Sequence, residues 1–269
     1  MWTGLGSNRS TRSFIRVRNP HGLPDPLMRC VNVPARVKPL LQQIGRIAGR
    51  CGAPSYAVGG CVRDWLLGIE RAADLDVTVE GNGIDLARAV ARELKGTVIA
   101  HQSFGTATVT LADEVPSRVD FASCRREAYV KPAAYPRVSP GTLEDDLFRR
   151  DYTMNAMAVA IAPGRFGRLV DPFEGAQDLQ RKALRVLHDR SFLDDPSRIL
   201  RGVRFLQRFG LQWEPGTERA VREAVAAGAL GWLNPGRLGK ELNLMCREPD
   251  PIACFRSLAE LLDGGSRRA

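Results

Sequence analysis

Gly59-Gly60-Cys61-Val62-Arg63-Asp64-Trp65-Leu66-Leu67-Gly68, followed shortly by Asp74-Leu75-Asp76-Val77-Thr78-Val79, joins a double glycine at the start of a short helix to a strand with paired acids. Successive strand residues point to opposite faces, so Asp74 and Asp76 project together, about 7 Å apart, while Leu75, Val77 and Val79 face the other way. Two hard oxygen ligands at that spacing suit Mg²⁺, which takes few protein carboxylates and fills its octahedral shell with water and phosphate oxygens. Gly59 and Gly60 lack Cβ atoms and let backbone N–H groups approach an anion, and the helix start adds its positive dipole end. A double glycine alone is a tight turn, and Asp-x-Asp alone is a solvated strand edge. Their occurrence in this order, with Arg63 and Asp64 between them, reads instead as a phosphate cradle beside a metal site.

Composition sets the frame around this stretch. With 269 residues the chain has room for one large domain or two modest ones, and its 44% hydrophobic and 26% charged content is ordinary for a soluble globular protein. No apolar run approaches bilayer length, so no membrane partner is expected. Six scattered cysteines without Cys-x-x-Cys, and only three histidines, argue against zinc and for reduced thiols in a cytoplasm. The net charge of +9 invites a nucleic-acid partner. Nearly half of that excess lies in residues 1–35, where Arg9, Arg12, Arg16, Arg18 and Arg29 face one acid, Asp25. This stretch has no apolar periodicity and is expected to be a disordered basic tail. It is equally readable as a basic arm, an organellar presequence or an upstream translation start.

Val37, Leu40, Leu41, Ile44 and Ile47 form one helical face, expected to lie on a sheet. Strands are expected at 56–58, 74–79, 97–100, 106–111 and 118–121, and a helix at 83–94. Within Arg118-Val119-Asp120-Phe121, Val119 and Phe121 share one face and Asp120 takes the other, offering a third acid for two-metal phosphoryl transfer; the competing reading is a solvated strand residue. Residues 125–142, with Pro132, Pro136, Pro140 and Gly141, read as a loop. Arg149-Arg150-Asp151-Tyr152-Thr153-Met154-Asn155 precedes an apolar strand at 156–161 and puts cationic and hydrogen-bonding groups where phosphate and ribose contacts are made. As the alternative, Arg149 and Arg150 pair with Asp145 and Asp146 on a surface turn. Val186-Leu187 reads as a possible last strand, and everything from Pro196 onward as helix, which sets a domain boundary near residue 180.

Asp194-Asp195-Pro196-Ser197-Arg198 opens a helix through Phe209, with Ile199, Val203 and Leu206 inward and Arg198, Arg201, Arg204 and Arg208 on a cationic ridge. A solvated face is one reading of that ridge. In the sharper one, Asp195 accepts and Arg198 donates, a combination that matches the amino-plus-acceptor edge of cytosine or adenine and rejects uracil and guanine.

In this order the motifs resemble those of the class II tRNA nucleotidyltransferase (CCA-adding enzyme) and bacterial poly(A) polymerase family, over roughly residues 36–245. Gly59-Gly60-x-Val62-Arg63-Asp64 through Asp74-x-Asp76 looks like its first motif, and Asp146-Leu147-x-Arg149-Arg150-Asp151-x-Thr153-x-Asn155 like its ribose and phosphate motif. Asp171-Pro172-x-x-Gly175 is similar to its hinge, and Asp195-Pro196-x-Arg198-x-x-Arg201-x-x-Arg204 to its nucleotide-selecting helix. Tyr152 stands where Phe is usual and Asp194 where Glu is usual. The resemblance implies an α+β fold: a polymerase-β-like nucleotidyltransferase head with a mixed five-stranded sheet (36–180), then an all-α neck (181–269), truncated relative to longer members that carry body and tail domains.

It implies template-independent addition of CCA, or part of it, to tRNA 3′ ends from CTP and ATP with Mg²⁺. A-adding or CC-adding specialists and poly(A) polymerase are the alternatives, and a non-catalytic RNA-binding remnant is the alternative of another class. Expected catalytic residues are Asp74, Asp76 and Asp120, the first two holding metal. Expected nucleotide contacts are Gly59, Gly60, Arg63, Asp64, Arg150, Asp151, Asn155, Asp195, Arg198, Arg201 and Arg204.

Overall fold

The computed structural model describes residues 30–70, 75–112 and 114–266. Asp74 and the tail up to residue 29 lie outside the described residues. Residues 30–35, expected within that tail, are packed: the Val31 N–H donates to the Gly167 carbonyl at 2.8 Å, and Val31 and Val33 are buried.

Helix α1 (Lys38–Arg50) carries a proline in its first turn, where the missing N–H costs nothing, and buries Leu40, Leu41, Ile44 and Ile47 as their spacing predicts. It lies so close to the chain after the sheet that a Cβ on Gly45 would sit 1.9 Å from the Ile161 carbonyl oxygen. Gly45→Ala therefore has opposed effects. Alanine favours the helix by about 1 kcal/mol, but the clash is with backbone that has no free rotamer, so a net loss of about 1–3 kcal/mol is expected on chemical denaturation.

Strand β1 (Ser55–Val58) leads through Gly59 into α2 (Gly60–Leu66), and β2 (Leu75–Val79) into α3 (Gly83–Glu93), whose first turn is capped by the Asn82 side chain. Strands β3 (Thr97–His101), β4 (Thr106–Thr110) and β5 (Arg118–Ser123) follow. The segment read as a loop instead contains a hairpin, β6 (Arg125–Ala128) with β7 (Arg137–Pro140). Its prolines do not prevent this, since Pro140 sits at the end of an exposed edge strand where no ladder donor is needed. Helix α4 (Leu143–Phe148), strands β8 (Ala158–Ala160) and β9 (Leu169–Val170) and helix α5 (Gly175–Gln180) complete the first part.

The main sheet runs β3-β4-β5-β2-β1-β8-β9, with β2 and β5 parallel and every other adjacent pair antiparallel. It is mixed, as expected, but has seven strands rather than five, because β8 and β9 extend it beyond β1.

Past residue 180 come β10 (Ala183–Leu184), α6 (Ser191–Asp194), α7 (Ser197–Phe209), β11 (Gln212–Trp213), α8 (Pro215–Ala226), α9 (Pro235–Cys246) and α10 (Pro251–Ser266). The strand expected at 186–187 is displaced to β10, which pairs in parallel with β11. One contiguous apolar core crosses residue 180. Fully buried Tyr152 donates its hydroxyl to the Arg198 carbonyl at 2.6 Å and packs edge-on against Phe205, seating α7 on the segment that follows α4.

Candidate active site

The parallel register sets Asp76 opposite Asp120, flanked by the pairs Leu75–Val119 and Val77–Phe121. Those apolar neighbours are buried, so the alternation turns both acids to the other face, on adjacent strands about 4.8 Å apart. Of the two readings of Asp120, the structure supports the acid beside Asp76. The Thr108 hydroxyl, opposite it on β4, donates to Asp120 Oδ1, and Arg118 Nη2 donates to Oδ2 at 3.0 Å. Asp74, the remaining acid of this set, lies outside the described residues.

Gly59 has φ +76°, and a Cβ there would stand 2.6 Å from Arg150 Nη1. Glycine thus brings the backbone directly against this guanidinium. Arg150 Nη2 donates to Asp146 Oδ2 at 3.1 Å, whereas its Nε is buried and has no hydrogen-bond partner among the described residues. Asp146 also accepts from Arg149 Nε at 3.0 Å and Nη2 at 2.8 Å. Burial pushes the Asp146 carboxyl up, but the two guanidiniums outweigh it and hold it below the usual carboxylate range. The alternative of a surface turn is half right: both arginines pair with Asp146, but Asp146 is completely buried, and Asp145 pairs with Arg126 instead.

Arg63 makes three hydrogen bonds within the protein. Its Nε and Nη2 donate to Asp64 Oδ1, its Nη1 donates to Asn155 Oδ1 at 2.7 Å, and its Cζ lies 4.5 Å from the Phe209 ring centroid. Asn155 passes the chain on through its amide to Asp151 Oδ1 at 2.9 Å, and Arg201 grips Asp151 Oδ2 at 2.6 and 2.8 Å. Burial would raise the Asp151 carboxyl, yet Arg201 and Asn155 hold it at about 2.

The ridge on α7 is only partly solvated: Arg198 and Arg204 are buried, Arg201 is half-buried and Arg208 is exposed. Arg204 is buried between Glu241 and Glu248, Arg208 also pairs with Glu248, and Arg198 donates to Ser191 Oγ and the Arg149 carbonyl. The Arg198 N–H donates to the Asp195 carbonyl at 3.1 Å, but among the described residues their side chains have other partners: Asp195 pairs with Arg237 from α9.

These groups surround two adjoining cavities. The larger, about 620 Å³, is lined by Gly59, Gly60, Arg63, Asp76, Arg150, Asp151, Asn155, Asp195, Arg198 and Arg201 among the expected residues. The smaller, about 430 Å³, is lined by Asp120, Thr108, Arg118 and His101, and the two share Asp76, Arg149 and Arg150. Asp64 and Arg204 line neither: Asp64 acts on Arg63, and Arg204 is a helix-to-helix tie. Glu127, Tyr129, Tyr135 and Arg237 also line the larger cavity and were not among the expected residues. The aromatic spacing of Tyr129 and Tyr135 within a polar stretch offered a signal; Glu127 reaches Arg149, and Arg237 reaches Asp195, through tertiary contacts.

Among the described residues no group of three or more His, Cys, Asp or Glu gathers to hold a metal. The Asp76–Asp120 pair is nonetheless a hard-oxygen donor set of the size Mg²⁺ uses, and the guanidinium of Arg150, which lines both cavities together with Asp76, fits the phosphate oxygens that would complete the shell.

Residues 55–185 match the family model of the poly A polymerase head domain. The chain is 40% identical over 224 residues to an A-adding tRNA nucleotidyltransferase of Halalkalibacterium halodurans, covering 82% of this chain and 52% of the relative. It is 38% identical over 207 residues to a CC-adding tRNA nucleotidyltransferase of Deinococcus radiodurans, covering 77% of this chain and 52% of the relative. A solved apo structure of a CCA-adding enzyme superposes with a TM-score of 0.81 at 40% identity, covering 85% of this chain and 53% of that one. The chain spans about half the length of these relatives.

Proposed function

We propose that the chain is a member of the family whose poly A polymerase head-domain model matches residues 55–185, and that it is a template-independent RNA nucleotidyltransferase that adds CCA, or part of it, to tRNA 3′ ends from CTP and ATP. The observation that carries this reading is the pair of adjoining cavities whose shared wall holds Asp76, Arg149 and Arg150. A transferase joining two substrates needs each in its own pocket, with the reacting atoms meeting at a common boundary.

In the proposed reaction the RNA 3′ hydroxyl oxygen bonds to the α-phosphorus of the nucleotide as the bond to the bridging oxygen breaks, releasing pyrophosphate. The larger cavity takes the nucleotide. Its base lies toward Asp195, just before α7, and Arg198 on α7, and its phosphates toward Gly59, Gly60 and Arg150. The smaller cavity takes the RNA terminus, with the hydroxyl near Asp120. The family uses divalent cations. Mg²⁺ held by Asp74 and Asp76, with Asp120 beside them, would activate the hydroxyl and offset charge on the phosphates. Arg63, bonded to Asp64 and Asn155 and lying over Phe209, ties α2 to α7 and also lines this cavity.

A second reading, an A-adding specialist, is favoured by the 40% identity to an A-adding relative. Radiolabelled nucleotides separate the two. CCA addition predicts incorporation of both CMP and AMP on tRNA lacking its 3′ end, whereas an A-adder extends only tRNA already ending in CC, and only with ATP. Absence of transfer from either nucleotide to either RNA, with Mg²⁺ present, overturns both.

A further inference from the structure

We infer that Arg237, on α9, is a specificity-determining positioning residue: it fixes which oxygen of Asp195 meets the nucleotide base. The inference rests on the nucleotide reading of the larger cavity and goes beyond the α7 pair, since α9 carries none of the expected site residues.

Arg237 is held at the start of α9, where its backbone N–H donates to the capping Asn234 Oδ1 at 2.9 Å. From there its Nη2 donates to Asp195 Oδ1, and its Cζ stands 5.9 Å from the ring centroid of Tyr135, on the segment between β6 and β7. Ser197 gives Asp195 Oδ1 two more donors, its N–H at 3.0 Å and its hydroxyl at 2.6 Å. All three donors fall on Oδ1. Oδ2 receives no hydrogen bond from the described residues, although Asp195 lines the cavity.

A carboxylate turns easily about its last bond, so by itself it offers a base either oxygen at variable angles. With Oδ1 saturated, a single acceptor with a fixed direction remains. An ionised carboxylate only accepts, so the amino group of cytosine or adenine satisfies Oδ2, while the carbonyl of uracil or guanine at that place leaves two acceptors opposed. The same contact keeps an Arg237 donor off the base. A guanidinium released at this position would donate to a base carbonyl and reward the wrong nucleotide. Arg237 therefore acts twice, by aiming Asp195 and by being occupied with it.

The test compares wild type, Arg237→Gln and Arg237→Lys by incorporation from each of the four nucleoside triphosphates, and by calorimetric binding of ATP and GTP. Arg237→Gln is expected to raise UMP and GMP incorporation relative to AMP by about tenfold, and to narrow the ATP-over-GTP affinity ratio to a similar degree. Arg237→Lys, which keeps a charged donor for Asp195, restores most of the discrimination. If Arg237→Gln lowers all four nucleotides together with unchanged ratios, or leaves them all unchanged, the inference is wrong. If wild type transfers nothing, the transferase reading fails instead, and the affinity ratio still decides the role of Arg237.

Discussion

Alanine at Asp76 is expected to lower nucleotide incorporation by at least about 10³-fold, with little change in thermal stability. The carboxylate is exposed on the sheet face it shares with Asp120 and lies at the boundary of both cavities. Its truncation opens no void, because the packing of β2 is carried by Leu75, Val77 and Val79 on the opposite face. A metal-holding carboxylate instead contributes several kcal/mol in the transition state, at 1.36 kcal/mol per decade of rate. Binding of ATP is expected to fall much less than turnover, since the larger cavity keeps Arg150, Arg198 and the glycines. Single-turnover rates at saturating ATP and Mg²⁺, beside an equilibrium titration of ATP, make the comparison. Undiminished turnover in the variant, or a melting temperature lowered by many degrees, would remove Asp76 from the chemistry. Asp120→Asn supplies the second arm: it keeps the hydrogen bond from Thr108 while removing the charge, so a loss there follows from the carboxylate and not from the strand.

How much of this was legible in sequence follows the range of the interactions. The alternation in Asp74-Leu75-Asp76-Val77-Thr78-Val79 and in Arg118-Val119-Asp120-Phe121 places inward and outward residues without knowledge of the sheet, and Leu75, Val77, Val119 and Phe121 are buried accordingly. Alternation does not say which strands are neighbours. That Asp120 stands beside Asp76 depends on a parallel pairing across more than forty residues, which only the fold supplies. Gly59 was legible because a left-handed backbone and a close approach both demand glycine, although its neighbour, Arg150, was not.

The arginines of α7 show the opposite outcome. Their spacing of three, three and four reads as one solvated ridge, yet three of the four pair with acids from elsewhere: Arg201 with Asp151 after α4, Arg204 with Glu241 on α9 and Glu248 beyond it, and Arg208 with Glu248 as well. A periodic pattern fixes a face, not what covers that face. The acids that bury this ridge lie some forty to fifty residues away in either direction, with nothing in their local sequence to mark them. Asp195 was assigned to the base together with Arg198 for the same reason, since helical spacing brought Arg198 to mind and gave no hint of Arg237.

Asp146→Asn is expected to cost about 3–5 kcal/mol of folding stability at neutral pH, an unusually large effect for an exchange of nearly equal shape. Asp146 is fully buried and receives three hydrogen bonds from two arginines, so its removal leaves two guanidiniums facing a neutral amide whose NH₂ opposes their own donors. The pH dependence gives the sign. The folded carboxyl is held below its ordinary range, so its contribution is present above the unfolded value near 4 and is lost as pH falls toward the lower folded value. Urea denaturation of wild type and variant should therefore differ most at neutral pH and converge below about pH 4. A gap that stays constant into acid would mean that shape, and not charge, carries the effect. Adding Arg149→Met to Asp146→Asn should recover part of the loss, because one of the stranded charges goes with it, whereas independent sites would simply add. The two arginines also share the wall between the cavities, so Asp146 links folding to the site: it holds both guanidiniums at the boundary of the two cavities.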